Sequence, residues 1–141
     1  MSRLNKIKKD VIIVAGLLIL PLLLFGWVTV GHKTMLPADN LFKWAPWASA
    51  AADFDIEYPQ NSLLSDLILE NFGWKNFISS NINMGQIPLW NSNNFAGTPF
   101  LANGQHSAYY PFSILFLILP LAKAYGWYTV SQLWLAGVFT Y

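Results

Sequence analysis

The stretch Val11–Val30, VIIVAGLLILPLLLFGWVTV, carries no charged residue. At about 1.5 Å rise per residue, a helix of this length covers the ~30 Å hydrocarbon core of a bilayer. The stretch therefore reads as a transmembrane helix over residues 11–30. Pro21, near its middle, predicts a kink, which membrane helices tolerate better than soluble ones. Trp27 lies near the far end, where an indole suits the headgroup zone. Residues 1–10 carry Arg3, Lys6, Lys8 and Lys9, a basic cluster that predicts a cytoplasmic N-terminus and an outward-facing segment after the span. A cleaved signal peptide shares these features. Against it, the apolar run is longer than the usual signal core, and the nearest Ala-x-Ala, Ala48–Ser49–Ala50, lies far beyond it.

Composition points the same way. The chain is 55% apolar, 16% aromatic and only 11% charged, where a soluble domain has about a quarter charged residues. The net charge of +1, with no basic patch outside the N-terminus, gives no footing for nucleic acid. There is no cysteine, which excludes disulfides and thiolate metal sites.

Residues 31–111 form a large extracytoplasmic loop on this reading. Asp39, in Leu36–Asn40 (LPADN), is placed to cap a short helix before Leu41. Trp44 and Trp47 suit the membrane surface. Asp53, Asp55 and Glu57 form an acidic run without the spacing of a known Ca²⁺ loop. Asn61–Asn81 reads as an amphipathic helix, with Leu63, Leu64, Leu67, Ile68, Phe72 and Ile78 at helical spacing and Ser62 as its cap. Asp66 and Glu70 stand at i and i+4 on that helix. Such a pair is either a solvated face or a general base with a partner.

The stretch Gly85–Pro111, GQIPLWNSNNFAGTPFLANGQHSAYYP, is broken by Pro88, Pro99, Pro111, Gly85, Gly97 and Gly104. It predicts irregular backbone rather than helix or sheet. Amide and aromatic side chains crowd between the breaks, as a surface for a sugar-like ligand needs. Trp90, Asn91, Asn103, Gln105 and Tyr109 are the candidate binding residues. His32 and His106 lack metal-ligand spacing and read as surface or hydrogen-bonding histidines. Residues 112–123 are apolar but short and end at Pro120 and Lys123, which suggests an interfacial or re-entrant helix. Residues 124–141 read as a second transmembrane helix, still apolar at Tyr141. The whole is therefore taken as the N-terminal part of a longer protein. No phosphate-cradling loop and no Gly-x-Ser-x-Gly elbow is present.

Several of these elements together resemble the YfhO-type bacterial membrane proteins. They are Ser65–Asp66–Leu67, Gly85–Asn91 (GQIPLWN), Gly97–Thr98–Pro99, Ala102–Gln105 (ANGQ) and Tyr110–Pro111, with the first span and LPADN. Two positions depart from that pattern: Glu70 stands where Gln is expected, and Gly73 where Pro is expected. The resemblance implies a mainly α, integral-membrane architecture of the GT-C glycosyltransferase kind. Such an enzyme sits in the bacterial plasma membrane in several passes. It would take a sugar from a polyprenyl-phosphate carrier to a glycan or lipid acceptor, working against membrane lipid. Asp66, or alternatively Asp39, would deprotonate the acceptor hydroxyl, and the Glu70 departure favours Asp66. No cofactor is implied with certainty. A divalent cation among Asp39, Asp53, Asp55, Glu57 and Asp66 stays open, with no metal ligand assigned. Two other readings stay open: a non-enzymatic transporter or polysaccharide-export component binding glycan or lipid through the same loop, and a loop that only packs within a larger assembly.

Overall fold

The computed structural model describes residues 3–141 and is mainly helical. The chain divides into two compact units. One is the N-terminal segment through Met35 together with Ala122–Tyr141; the other is Leu36–Leu121.

In the first unit, α1 (Arg3–Gly16) and α2 (Ile19–Thr29) form one broken helical run. The break falls at Leu17–Leu18 and its cause is Pro21. A proline ring clashes with the carbonyl four residues earlier, here that of Leu17, and offers it no N–H. The Leu18 N–H turns to the Ala15 carbonyl at 3.2 Å, one residue short of the α-helical partner. The Val14 carbonyl thus freed accepts a hydrogen bond from the Trp134 indole at 2.8 Å. A neighbouring helix supplying the missing donor is how apolar helices accommodate proline. The helix is thus interrupted about one turn N-terminal to the proline.

Trp134 belongs to α5 (Leu121–Thr140), which runs antiparallel to α1 and α2. Near its start, a Cβ on Gly126 would lie 2.8 Å from the Val28 carbonyl, and near its end Gly137 faces Leu17. Only glycine permits the first approach. Lys123, in the first turn of α5, donates to the Gly31 and Lys33 carbonyls just past the end of α2, where unpaired carbonyls attract a cation. Among the described residues, one helical run is long and apolar enough to cross a membrane, Asn5–Thr29, and only 6% of its apolar window is buried. The α5 helix is long enough, but its tyrosine, serine and glutamine residues keep it below that apolar level.

The second unit is built largely from short 3-10 turns. Ala38–Lys43 and Trp47–Phe54 lead to the principal helix. That helix differs from the expected single α-helix over 61–81. It opens with a 3-10 turn, Ser62–Leu64, widens into a π turn, Leu67–Asn71, and becomes α-helical only in α3 (Phe72–Asn83). The cap is Asn61, not Ser62: its Oδ1 accepts the Leu63 N–H at 3.1 Å, because an Asx side chain reaches the amide two residues on. Asp39 is not a cap either. It lies inside its 3-10 turn, and Oδ2 accepts the Gln60 N–H at 2.7 Å. Its neighbour Asn40, fully buried, donates to the Asn61 carbonyl at 3.1 Å. The LPADN segment thus holds the chain just where the helix begins.

After α3, the expected irregular stretch contains a short antiparallel ladder. In it β1 (Trp90–Asn91) pairs with β2 (Thr98–Pro99), Trp90 opposite Pro99 and Asn91 opposite Thr98. Two residues per strand leave no alternation for sequence to display. Gly97 (φ +102°) permits the turn, and its missing side chain makes room for the Trp90 indole. The unit closes with the 3-10 turns Gly104–His106 and Pro111–Ile114 and the four-residue α4 (Leu115–Ile118). Residues 112–123 are therefore not one helix: Leu119 is extended ahead of Pro120, and residues 121–123 open α5.

Candidate functional site

The core of the second unit forms around a buried lysine. Lys75, on α3, is 3% exposed. Its Nζ donates to the His106 carbonyl at 2.8 Å and to Ser107 Oγ at 2.9 Å. It also lies 4.5 Å from the centre of the Phe116 ring, a cation–π arrangement. Burial pushes its pKa down from 10.5 to about 8, because the ammonium loses water. His106 is buried beside it. Its Nε2 faces the Phe100 carbonyl at 2.8 Å and its Nδ1 accepts the Ala108 N–H at 3.0 Å. That pair of partners assigns the neutral ring with hydrogen on Nε2. Burial lowers its pKa, outweighing the Phe100 hydrogen bond, and Lys75 adds to the effect. The His106 ring stacks on Phe100 at 4.2 Å, and Phe77 meets Phe100 edge-on. These contacts hold one side of α3 against the 100–107 segment.

The other side of α3 stays open. A groove of about 590 Å³ runs between α3 and the turn after β1. Five asparagines line it: Asn76 and Asn81 from α3, and Asn91, Asn93 and Asn94 from the turn. Trp74, Phe77 and Phe95 supply the aromatic surface, and Glu70, in the π turn, the single carboxylate. At Gly73 a Cβ would meet nothing within 4 Å, so this position widens the groove. A second groove of about 380 Å³ shares Trp74, Asn94 and Phe95 and adds Thr98 and Asn103 among others. Phe95, common to both, is fully solvent-exposed and holds a left-handed backbone at φ +51°. Both features are costly for a phenylalanine. The turn is fixed by the Asn91 Oδ1 bond to the Asn93 N–H (2.9 Å) and by the Gly97 N–H to the Asn94 carbonyl (2.8 Å).

The sequence-derived candidates distribute unevenly over this surface. Asn91 lines the larger groove and Asn103 the smaller. Tyr109 lines a separate, apolar groove on the far side of α3. Trp90, half-exposed, supports the turn from beneath Gly97, and Gln105 is exposed on the 3-10 turn beyond it. Asp66 is exposed near the start of the helix, and Asp39 is engaged with Gln60. Among the described residues, no three of His, Asp and Glu come together as a metal site. Trp74, Asn76, Asn81, Asn94 and Phe95 escaped the sequence reading. The signal for the helical ones was i+3 and i+4 spacing, from Glu70 to Trp74, from Gly73 to Asn76, and from Gly73 through Phe77 to Asn81. Comparison with protein-family models, characterised proteins and solved structures finds no match.

Proposed function

We propose that this chain is part of a multi-pass membrane glycosyltransferase, anchored by Asn5–Thr29, with the α3 groove holding the transferred sugar. The donor would be a polyprenyl-phosphate-linked sugar and the acceptor an extracytoplasmic glycan or lipid. The observation that carries this reading is Phe95, an exposed aromatic held at backbone cost on the rim of a groove walled by five asparagines and Trp74. Flat apolar faces beside amide donors and acceptors suit the faces and hydroxyls of a pyranose ring. The apolar, largely uncovered Asn5–Thr29 run supports the membrane anchor, and the resemblance of the motifs from Ser65 to Pro111 supports the reaction.

Within this reading the acceptor hydroxyl is deprotonated by a carboxylate. The resemblance favours Asp66; the groove favours Glu70, which lines it. The test is sugar transfer from a polyprenyl-phosphate donor by the full-length protein in membranes. Loss of a general base lowers the rate by about 100-fold or more. That loss in Glu70→Gln or Asp66→Asn, with donor binding kept, identifies the base. Full activity in both variants, and in Asp39→Asn, would remove carboxylate chemistry from this unit. A binding or transport role, in which Trp74→Ala weakens binding while the carboxylate variants remain active, would then take its place.

A further inference from the structure

On the side of α3 away from the asparagine groove lies a second concavity of about 440 Å³. Ile82, Ile87, Leu89, Leu101, Tyr109 and Leu117 are among the residues that line it, and none of its lining side chains carries a charge. Several are strongly exposed: Ile87 by 65%, Leu89 by 55% and Tyr109 by 64%. They are held there by main chain, since the Leu89 carbonyl accepts both the Phe100 and Leu101 N–H groups. The exposure is therefore built into the short hairpin and is not a frayed end. An exposed apolar face of this kind marks an interaction surface.

Three further observations say what covers it. From Asn76 to Ala122 the sequence contains no Asp, Glu, Lys or Arg, although five carboxylates lie between Asp53 and Glu70 in the same unit. A protein partner tolerates charge around the rim of its interface, whereas a bilayer penalises charge anywhere near its apolar depth. In addition, along the chain only residues 30–35 separate the unit from the apolar run Asn5–Thr29. The paired Tyr109 and Tyr110 are the residue type enriched where protein crosses the headgroup zone.

We propose that this apolar face seats on the lipid bilayer, its aliphatic side chains among the upper acyl segments, while the asparagine groove on the other side of α3 stays in water. The proposal rests on the membrane reading above. It adds that the Leu36–Leu121 unit is a membrane-surface module whose docking face is distinct from its sugar groove.

The chain has no native cysteine, so single-cysteine spin labelling is unambiguous. Ile87→Cys, Leu89→Cys and Leu101→Cys report the proposed face, Glu57→Cys and Ser92→Cys the watery surface, and Leu23→Cys the apolar run. All six positions are exposed, so labelling does not disturb the core. The full chain is reconstituted in phosphatidylethanolamine–phosphatidylglycerol vesicles, and nitroxide collisions with oxygen are compared with those of a polar nickel chelate. The expected result is that oxygen dominates at 87, 89, 101 and 23 and the chelate at 57 and 92. Chelate dominance at 87, 89 and 101 with oxygen dominance at 23 overturns the docking face and leaves the membrane anchor standing. Protection from both reagents at 87, 89 and 101 also overturns it, since protein then covers the face. Chelate dominance at 23 overturns the anchor and the docking face together.

Discussion

Lys75→Met separates a buried cation from its surroundings more cleanly than any other change in this protein. Lys75 is 3% exposed and its pKa falls from 10.5 to about 8. That drop corresponds to about 3 kcal/mol of cost for holding the charged form in the folded unit. Two hydrogen bonds and the Phe116 face favour the ammonium and keep that cost from being larger. The sign of the pH dependence follows from proton counting. Below about pH 8 the lysine is charged whether folded or unfolded, so its contribution is constant and the cost is present in full. Between about pH 8 and 10.5 the unfolded chain keeps a proton that the folded chain has released, so stability rises with pH. By about pH 9.5 the gain is about 2 kcal/mol, which raises the melting temperature of a unit this size by ~10 °C. Methionine has comparable length and no titratable group, so Lys75→Met should show a flat profile. The assay is thermal unfolding in detergent from about pH 7 to about pH 9.5, followed by the near-ultraviolet circular dichroism of the aromatic core. Every other side chain is common to both proteins, so its contribution cancels in the comparison. Parallel pH profiles for the two proteins would refute the reasoning, because the buried ammonium would then carry no cost.

Two other changes test the scaffold. Gly97→Ala places a methyl group into the Trp90 indole on a backbone with φ +102°. It should destabilise the unit by about 2 kcal/mol or more, lowering the melting temperature and shifting tryptophan emission. Asp39→Ala removes the acceptor for the Gln60 N–H and should cost about 1 kcal/mol. Asp39→Asn keeps an acceptor oxygen and should lose less, with transfer activity near that of the unaltered protein, as a structural Asp39 requires.

The sequence displayed the large features because their signals are long. The Asn5–Thr29 run and the helix through Phe72 and Ile78 each show many residues of one pattern. Pro21 announced the break, though its placement one turn earlier follows from the clash at the Leu17 carbonyl rather than from the proline's own position. The short features were not legible. A two-residue ladder shows no periodicity, and the choice of Asn61 over Ser62 as cap depends on one backbone angle. Lys75 was passed over because lysine is ordinarily exposed. Its spacing carried the warning: it falls between Phe72 and Ile78 on the apolar stripe, at i+3 from each neighbour. Of the binding candidates, Asn91 and Asn103 sit at the grooves through the chain reversal after Trp90. Trp90 is turned beneath Gly97 by that same reversal, which no local pattern encodes, and Gln105 is exposed on a separate 3-10 turn.

Gly73→Leu probes whether the groove on α3 holds a sugar. A Cβ at this position meets no neighbour within 4 Å, so the leucine side chain enters open space between Glu70 and Phe77. Replacing glycine in a helix stabilises it by about 0.5–1 kcal/mol, so misfolding does not confuse the result. The measurement is equilibrium binding of a panel of polyprenyl-phosphate-linked hexoses and N-acetylhexosamines to the full-length protein in lipid nanodiscs. The unaltered protein should bind at least one member, and Gly73→Leu, melting no lower, should bind it about tenfold more weakly or worse, a loss of about 1.4 kcal/mol. Equal binding by both proteins, or no binding by either, would contradict the sugar-holding groove.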